Sequence, residues 1–344
     1  MSPEKIVYYN KDHANHKGWI DNEGKPWDVP ERLFKVVDAL LSDDSLNIDW
    51  MVSPEFHKET MDLISKVHSV DMIKAISDAS KNATLDVPVK TFYDKDVEAN
   101  TSLIYPGTFE QAIMSVECAV SAADSLINGE TNLAITVSRP PGHHAGREFY
   151  HGFCYLNNAA VAAEAMKNNN KKVAILDIDV HHGDGTQDIF LNDPNVMYIS
   201  LHADPNLVMP GTGYSHEIGV GEGLERTVNL PFPIGIEANE YINLLINAQE
   251  KIKGFGADYL IIEAGFDGHK NEYPNLPPIT QLGDSEYREI GRHIGKLNLP
   301  SLVVFSGGYN QDVTSPAFVS YIKGMEDSLL IDRPIVHTTD ELIP

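Results

Sequence analysis

The sequence predicts an α/β fold in which helices cover both faces of a single open, mostly parallel β-sheet. Two observations carry this prediction. Short runs of Val, Ile and Leu alternate with helical stretches, and these runs are apolar almost throughout rather than at every second residue. Strands that are apolar on both faces are typical of a parallel sheet between two layers of helices. The alternation continues from Asn132 onward without a Ser/Gly-rich linker, so we predict one domain over residues 1–344.

Six apolar runs are the predicted strands of this sheet. Each is short, and its composition is that of a strand buried on both faces. In chain order they are KIVYY near Ile6, NLAITV from Asn132, KVAILDI from Lys172, VMYISLH from Val196, DYLIIEAG from Asp258 and SLVVF from Ser301.

Three intervening segments predict helices. The first has Thr108 as its N-terminal cap and ends at Gly129, and the second, NNAAVAAEAM, ends in a run of Asn. The third, EANEYINLLINAQEKIKGFG, has apolar residues at helical spacing and ends at Gly254 and Gly256. Residues 75–100 are polar and irregular, and we expect a long surface loop there.

Composition restricts the classes of function. The formal net charge is −24, so the basic surface that a nucleic-acid-binding protein needs is not expected. An acidic surface attracts cationic substrates, although solubility alone would also account for the charge. Two cysteines, Cys118 and Cys154, are typical of a reducing compartment. No run of 18 apolar residues and no signal-like N-terminus occurs, so we expect a cytoplasmic protein with no membrane partner.

Four polar clusters follow four of the predicted strands. The carboxyl ends of strands are where open α/β sheets place their sites, so the four clusters should meet in space. In chain order the clusters are SRPPGHHAG, DIDVHHGDG, GFDGH and SGGYN.

The second cluster predicts a metal site. Residues i, i+2 and i+4 of a strand share one face, so Asp177, Asp179 and His181 are predicted to point the same way from the strand. Two carboxylates and an imidazole would be costly to bury without a partner, and a divalent cation supplies one. This nitrogen and oxygen ligand set suits zinc, and Asp267 completes a three-ligand site that leaves one position for water. The alternative is a salt-bridged strand end.

The remaining polar residues predict proton-transfer groups. Adjacent histidines in a loop are often surface residues, but His143 and His144 follow a rigid turn after a buried strand. A histidine that transfers protons needs its second nitrogen held by an acceptor, and Asp177 and Asp184 are available. Tyr309 follows two glycines and could donate a hydrogen bond to a developing oxyanion, although a core-edge tyrosine is the simpler alternative.

Together these motifs resemble the zinc-dependent histone deacetylase superfamily, which includes acetylpolyamine amidohydrolases and has the arginase–deacetylase fold. The resemblance covers most of the chain and is closer to the bacterial and class II-like members. It rests on motifs in this order: PERL at Pro30, HSVDMI at His68, PGTFEQA at Pro106, RPPGHHA at Arg139, GFCYLNNAA at Gly152, DIDVHHGDGTQDIF at Asp177, MPGTG at Met209, NLPFP at Asn229, AGFDGH at Ala264 and SGGY at Ser306.

The resemblance implies a role for each site residue. Tyr309 would face the zinc across the scissile carbonyl, and a potassium ion would lie near Asp177. The implied zinc ligands are Asp179, His181 and Asp267, and the implied pairs are His143 with Asp177 and His144 with Asp184. The implied potassium ligands are oxygen atoms of Asp177, Asp179, His181, Ser200 and Leu201.

The same resemblance implies a narrow substrate channel. Phe153 would form one wall, with Gly152 and Gly307 beside it. Met209 stands where an aromatic wall is common, which favours a broader range of substrates. The Gly-Asp-Pro that many relatives carry after the third ligand is replaced here by GHKNEYPNLPP, and the candidates for the channel rim are Glu272, Asn275 and Leu276.

The predicted activity is that of a hydrolase that releases acetate from small cationic acetyl-amines, acetylpolyamines or acetyl-lysine. His144 is the predicted base and His143 its electrostatic partner. Acids in rim segments favour cationic substrates, although an acidic chain carries acids in most loops. These acids are Asp21, Glu23, Asp94, Asp96 and Glu272.

Four alternatives stay open at this point. They are a deacylase for other or longer acyl groups, a two-metal ureohydrolase, a hydrolase with Cys154 as nucleophile, and a non-catalytic acetyl-amine-binding protein. The two-metal enzyme would need further carboxylates, and Cys154 lies in an apolar run without an obvious base. The sequence also leaves the oligomeric state open, a homo-oligomer included.

Overall fold

The computed structural model describes residues 5–21, 24–95, 101–167 and 171–331. These residues form one eight-stranded sheet in which every neighbouring pair is parallel, with the strand order β2-β1-β3-β8-β7-β4-β5-β6. The strands are β1 Lys5–Tyr9, β2 Ile48–Val52, β3 Leu133–Val137, β4 Val173–Asp177, β5 Val196–Ala203, β6 Thr227–Phe232, β7 Tyr259–Ala264 and β8 Ser301–Phe305.

Helices cover both faces of this sheet. Helices α1, α7, α8 and α9 contribute to the apolar core on one face, and α2 to α6 contribute to the core on the other. Along β4, Ala174 and Leu176 face the first core while Val173 and Ile175 face the second, as the alternation of a strand requires. The helices are α1 Glu31–Leu41, α2 Lys58–Val67, α3 Val70–Asn82, α4 Thr108–Ile127, α5 Asn158–Met166, α6 Asp184–Phe190, α7 Ala238–Phe255, α8 Asp284–Gly295 and α9 Gln311–Ile331.

The predicted fold class and all six predicted strands are confirmed. The sequence analysis missed β2 and β6, which are the two edge strands of the sheet. Edge strands are covered incompletely, and these two have mixed burial, so neither shows the continuous apolar run that marks the central strands.

Two local predictions are wrong. The predicted loop over residues 75–100 is helical up to Asn82, because Met72, Ile73 and Ile76 bury an apolar stripe of α3. Residues 96–100 of that loop lie outside the described part of the chain. Thr108 is the first residue of α4 rather than its cap, and its hydroxyl accepts the Tyr105 N–H at 3.0 Å.

Within the described ranges, no helix combines the length with the apolar composition that a membrane crossing needs.

Candidate active site

Four neighbouring strands bring the polar clusters together. β3, β8, β7 and β4 are adjacent in the sheet, and each is followed by one of the four clusters. Because all pairs are parallel, the four carboxyl ends lie at the same edge of the sheet. The sheet therefore places side chains from four distant parts of the chain around one point, as the sequence predicted.

Three of these side chains form a cluster that can hold a metal ion. Ligand atoms of Asp179, His181 and Asp267 lie within 4.8 Å of one another. His181 Nδ1 is 2.8 Å from Asp267 Oδ2 and 3.1 Å from Asp179 Oδ1. Burial and the charge of Asp179 raise the pKa of Asp267 to about 6. Two buried carboxylates beside an imidazole fit a zinc ion, because the cation offsets the repulsion between the acids.

Two glycines leave room around this cluster. A Cβ atom on Gly307 would lie 2.4 Å from Asp179 Oδ2 and 2.6 Å from Asp267 Oδ2, and a Cβ on Gly152 would lie 2.4 Å from His144 Cδ2. The Gly307 N–H donates to Asp179 Oδ2 at 2.9 Å. Gly307 therefore packs against the ligand carboxylates, whereas the sequence analysis had assigned it to the channel.

His143 and Asp177 form the first histidine–carboxylate pair. His143 Nδ1 lies 3.2 Å from Asp177 Oδ2, which also accepts the Tyr198 hydroxyl at 2.9 Å. Burial opposes a charged imidazole, but the carboxylates of Asp179 and Asp177 outweigh burial and raise the pKa of His143 to about 10. This direction of the pKa shift favours the protonated imidazole, whose Nδ1–H donates to Asp177.

His144 and Asp184 form the second pair, which includes a third residue that the sequence analysis missed. His144 Nδ1 lies 2.9 Å from Asp184 Oδ1, and His151 Nε2 lies 2.8 Å from Asp184 Oδ2. The rings of His144 and His151 stack with their centroids 4.6 Å apart. Burial and the charge of His143 lower the pKa of His144 well below its ordinary value, so its imidazole is neutral. In the sequence, His151 was marked only by its position directly before the GFCY motif.

Three of the five residues predicted to bind potassium lie on the neighbouring strands β4 and β5. Asp177 on β4 is the register partner of Ser200 on β5, and both residues are fully buried. Leu201 follows on β5 and is equally buried. The Ser200 hydroxyl lies 2.8 Å from His202 Nδ1.

A cavity of about 1040 Å³ opens above the metal cluster. His144 and His181 line it together with Tyr309. The predicted channel residues Gly152, Phe153 and Met209 also line it. The Phe153 ring lies at 5.2 Å from the Tyr309 ring, edge to face, while Met209 is 42% exposed and belongs to the outer wall.

The three rim candidates differ in position. Asn275 and Leu276 are exposed and line the cavity. Glu272 is only 2% exposed, and its Oε1 accepts the backbone N–H groups of Tyr309 and Asn310. Burial raises the pKa of Glu272 to about 7. Glu272 therefore anchors the Tyr309 loop from below rather than forming the outer rim.

The other proposed rim acids also differ. Asp21 lines the cavity and accepts the indole N–H of Trp27 at 2.9 Å. Asp94 has a buried side chain that lies 3.7 Å from Lys90 Nζ. Glu23 and Asp96 lie outside the described residues.

A buried ionic network holds the Tyr309 loop from the opposite side, and the sequence analysis assigned it no role. Arg32 donates to the carbonyl of Ser306 at 2.6 Å and to that of Gly308 at 2.7 Å. Both Arg32 and Arg139 donate to the Asp28 carboxylate. Although burial opposes it, the charge of Arg139 holds the pKa of Asp28 well below its usual value. The PERL motif contains Arg32, but spacing alone gave no sign of this contact.

Cys154 does not have the environment of a nucleophile. It is fully buried, and burial raises the pKa of its thiol well above the ordinary value. Reactive cysteines need the thiolate, which an apolar interior disfavours. The cysteine-hydrolase alternative therefore has no support in the structure.

An eight-stranded parallel sheet with an Asp-His-Asp cluster, two histidine–carboxylate pairs and a tyrosine at its carboxyl edge is the arrangement of the deacetylase class. Residues 27–325 match the histone deacetylase domain, and the chain belongs to the histone deacetylase family.

Individual relatives extend this comparison. The chain is 37% identical to the acetylpolyamine amidohydrolase of Mycoplana ramosa over 93% of this chain and 99% of that protein. It is 31% identical to acetylpolyamine amidohydrolase 1 of Pseudomonas aeruginosa, again over 93% and 99%. The crystal structure of an acetylpolyamine aminohydrolase from Burkholderia pseudomallei superposes with a TM-score of 0.82 at 27% identity, covering 94% of this chain and 99% of that one.

Proposed function

We propose that this protein is a zinc-dependent deacetylase that hydrolyses the amide of N-acetylated amines and releases acetate and a free amine. One observation carries the proposal. The Asp179, His181 and Asp267 cluster meets neutral His144 and Tyr309 at the floor of a single cavity. A metal cluster, a base and an oxyanion donor at one point are the groups that amide hydrolysis requires.

Asp179, His181 and Asp267 would hold the zinc ion. When bound, zinc supplies Lewis-acid activation of a water molecule and of the amide carbonyl. Gly307 contributes to the same task, because its N–H fixes one oxygen of Asp179 and its missing side chain leaves both carboxylates free to converge.

His144 is the proposed general base and acid. Its neutral imidazole can accept a proton from the attacking water, while its Nδ1–H remains bound to Asp184. The nitrogen that accepts this proton is Nε2, and Nε2 then returns the proton to the amine as the carbon–nitrogen bond breaks. His143 remains protonated against Asp177 and stabilises the negative charge that develops beside it.

Tyr309 is the proposed oxyanion donor. Burial raises the pKa of its phenol well above the ordinary value, so the hydroxyl keeps its proton at neutral pH. Glu272 and Arg32 fix the backbone on both sides of Tyr309, which holds the phenol in place before substrate arrives.

A potassium ion is proposed beside the first histidine pair. The oxygen atoms available there belong to the buried residues Asp177, Ser200 and Leu201, together with Asp179 and His181. A monovalent cation would reduce the repulsion among acids that lie close together in a buried region. Its role would be structural.

The proposed substrates are acetylpolyamines and acetyl-lysine. The names of the relatives support an acetylpolyamine, and the net charge of −24 favours any cationic amine. Turnover of acetylated polyamines, acetyl-lysine peptides and longer acyl-amines by the zinc-loaded protein tests the proposal. Hydrolysis of the acetyl substrates is the expected result. Turnover of long acyl-amines alone would refute the acetyl assignment, and binding without acetate release would refute catalysis.

A further inference from the structure

An aromatic surface leads from the floor of the cavity to its mouth. The Phe153 ring lies at 5.8 Å from Trp19, and Trp19 lies at 6.0 Å from Trp27. Trp27 in turn lies at 5.7 Å from the Tyr309 ring and 6.0 Å from the Tyr273 ring. All five rings line the cavity. Two of these rings, Trp27 and Tyr273, come from loops about 250 residues apart in the chain.

The ammonium group of Lys25 lies against both of these rings. The Lys25 ammonium lies 4.0 Å from the centroid of Trp27 and 5.4 Å from that of Tyr273. The faces of aromatic rings attract cations, and tryptophan does so most strongly. Lys25 is exposed and lines the same cavity, so its side chain can leave the rings without unfolding the surrounding structure.

A carboxylate adds to the preference for a cation at this point. Asp21 Oδ2 accepts the Trp27 indole N–H at 2.9 Å, and Asp21 Oδ1 accepts the Lys25 backbone N–H at 2.8 Å. The first bond fixes the orientation of the ring, and the negative charge makes the mouth more favourable to an ammonium group.

We propose that Trp27 and Tyr273, supported by Asp21, form a binding site for the free ammonium of the substrate, and that Lys25 occupies this site until substrate displaces it. The inference rests on the proposed function and narrows its substrate class. It favours acetylated diamines and polyamines, because these substrates carry a cation at their far end and the Trp27 ring lies only 5.7 Å from the Tyr309 ring. An acetyl-lysine peptide presents uncharged backbone amides at the same position.

The test compares two substrates of equal length that differ only in the charge of the tail. N-acetyl-1,4-diaminobutane carries a terminal ammonium, and N-pentylacetamide carries a methyl group in its place. We expect the wild-type kcat/KM to favour the charged substrate. Trp27→Leu and Tyr273→Leu should each reduce the charged-to-neutral ratio of kcat/KM by about 2- to 10-fold, the range of one cation–π contact.

Lys25→Met has the opposite expected effect, and the chain offers a matched control for it. Removal of the internal competitor should lower KM for the charged substrate by about 2- to 10-fold. Lys35 also lines the cavity but pairs with Asp312 at 2.7 Å instead of an aromatic ring. Lys35→Met removes the same charge from the lining of the same cavity. An equal decrease of KM in both variants would show that only the net charge near the cavity matters, and it would overturn the proposal.

Equilibrium binding separates this inference from the proposed function. Calorimetric titration of Tyr309→Phe with N-acetyl-1,4-diaminobutane should show binding that weakens when Trp27→Leu is added. If wild type hydrolyses neither of these substrates nor an acetyl-lysine peptide, the proposed function fails, and this titration still decides whether the cation site exists. If both substrates are hydrolysed and the charged-to-neutral ratio is unchanged in all three variants, the cation site is refuted.

Discussion

The floor and the mouth of the cavity are built in different ways. The floor consists of Asp179, His181 and Asp267, with the two histidine pairs beside them, and its residues follow neighbouring central strands. They are buried except for His181, whose side chain is 18% exposed. The mouth consists of Trp19, Trp27 and Tyr273 with Lys25 and Asp21, and its residues lie in loops and are partly exposed. Parallel strands fix the chemistry at one edge of the sheet, whereas the choice of substrate depends on loops that can vary without disturbing that edge.

The difference between floor and mouth can be measured by enzyme kinetics. Substitutions at the floor should reduce turnover of every substrate, and substitutions at the mouth should change the preference among substrates.

Removal of two of the three proposed zinc ligands should abolish activity. Asp179→Ala with Asp267→Ala leaves one imidazole of the three-ligand cluster, so we expect the purified protein to lose its zinc and all detectable turnover. Metal analysis per chain is the measurement. Asp258→Ala removes a surface acid that pairs with Lys171 and should retain about one zinc ion per chain. Full metal content in the double variant would contradict the assignment.

Tyr309→Phe should reduce kcat by about 10²- to 10³-fold, the usual cost of one oxyanion donor. Zinc content and KM should change little, because the substitution removes only a hydroxyl group. The matched control is Tyr214→Phe, which removes a hydroxyl that donates to Asn206 on the surface. Wild-type turnover in Tyr309→Phe would exclude the phenol from the reaction.

His151→Gln should reduce kcat/KM by about tenfold, in the range typical of residues that support functional histidines. His151 shares Asp184 with His144 and is one of the groups that lower the pKa of His144. Without it, the pKa of His144 should rise, and the acidic limb of the pH profile should move to higher pH. His57→Gln, at an exposed histidine paired with Glu117, should leave the profile in place. An unmoved acidic limb in His151→Gln would show that His151 only fills space.

Glu272→Gln should change how thermal stability depends on pH. The pKa of Glu272 is raised to about 7 in the folded protein, above its unfolded value of about 4.3, so its stabilising contribution is present at low pH. That contribution is lost as the pH rises through 7, a difference of about 2–3 kcal/mol between pH 5 and pH 8.

The measurement is the difference in Tm between wild type and Glu272→Gln in the zinc-loaded state, in which effects of pH on metal binding largely cancel. The wild-type Tm should fall by a few degrees relative to that of the variant from pH 5 to pH 8. A difference that does not depend on pH would show that Glu272 titrates normally.

The sequence predicted most of the floor because the floor follows local rules. The prediction extended the alternation of the strand to Asp179 and His181, whereas β4 ends at Asp177, yet the two side chains do lie 3.1 Å apart just beyond the strand. The rule for the carboxyl ends of parallel strands added Asp267 and Tyr309. The central strands were predictable because burial on both faces leaves a continuous apolar run.

The mouth and the supports could not be predicted in the same way. Trp27 and Tyr273 meet only because two loops fold toward each other, and no periodicity records that contact. Glu272 is a rim candidate by position, but its side chain turns inward to the backbone of Tyr309 and Asn310. His151 precedes a recognisable motif, yet its contact with Asp184 depends on the path of the loop between β3 and α5.

The position of Asp28 has a consequence for engineering the enzyme. Asp28 directly follows Trp27, and its carboxylate binds Arg32, which in turn holds the carbonyl groups before Tyr309. A graft that replaces the segment from Trp19 to Trp27 can retune selectivity only if it ends before Asp28. A graft one residue longer would remove the carboxylate that neutralises the buried guanidinium groups of Arg32 and Arg139. The backbone that positions Tyr309 would then lose its support, and the change in selectivity would come with a loss of turnover.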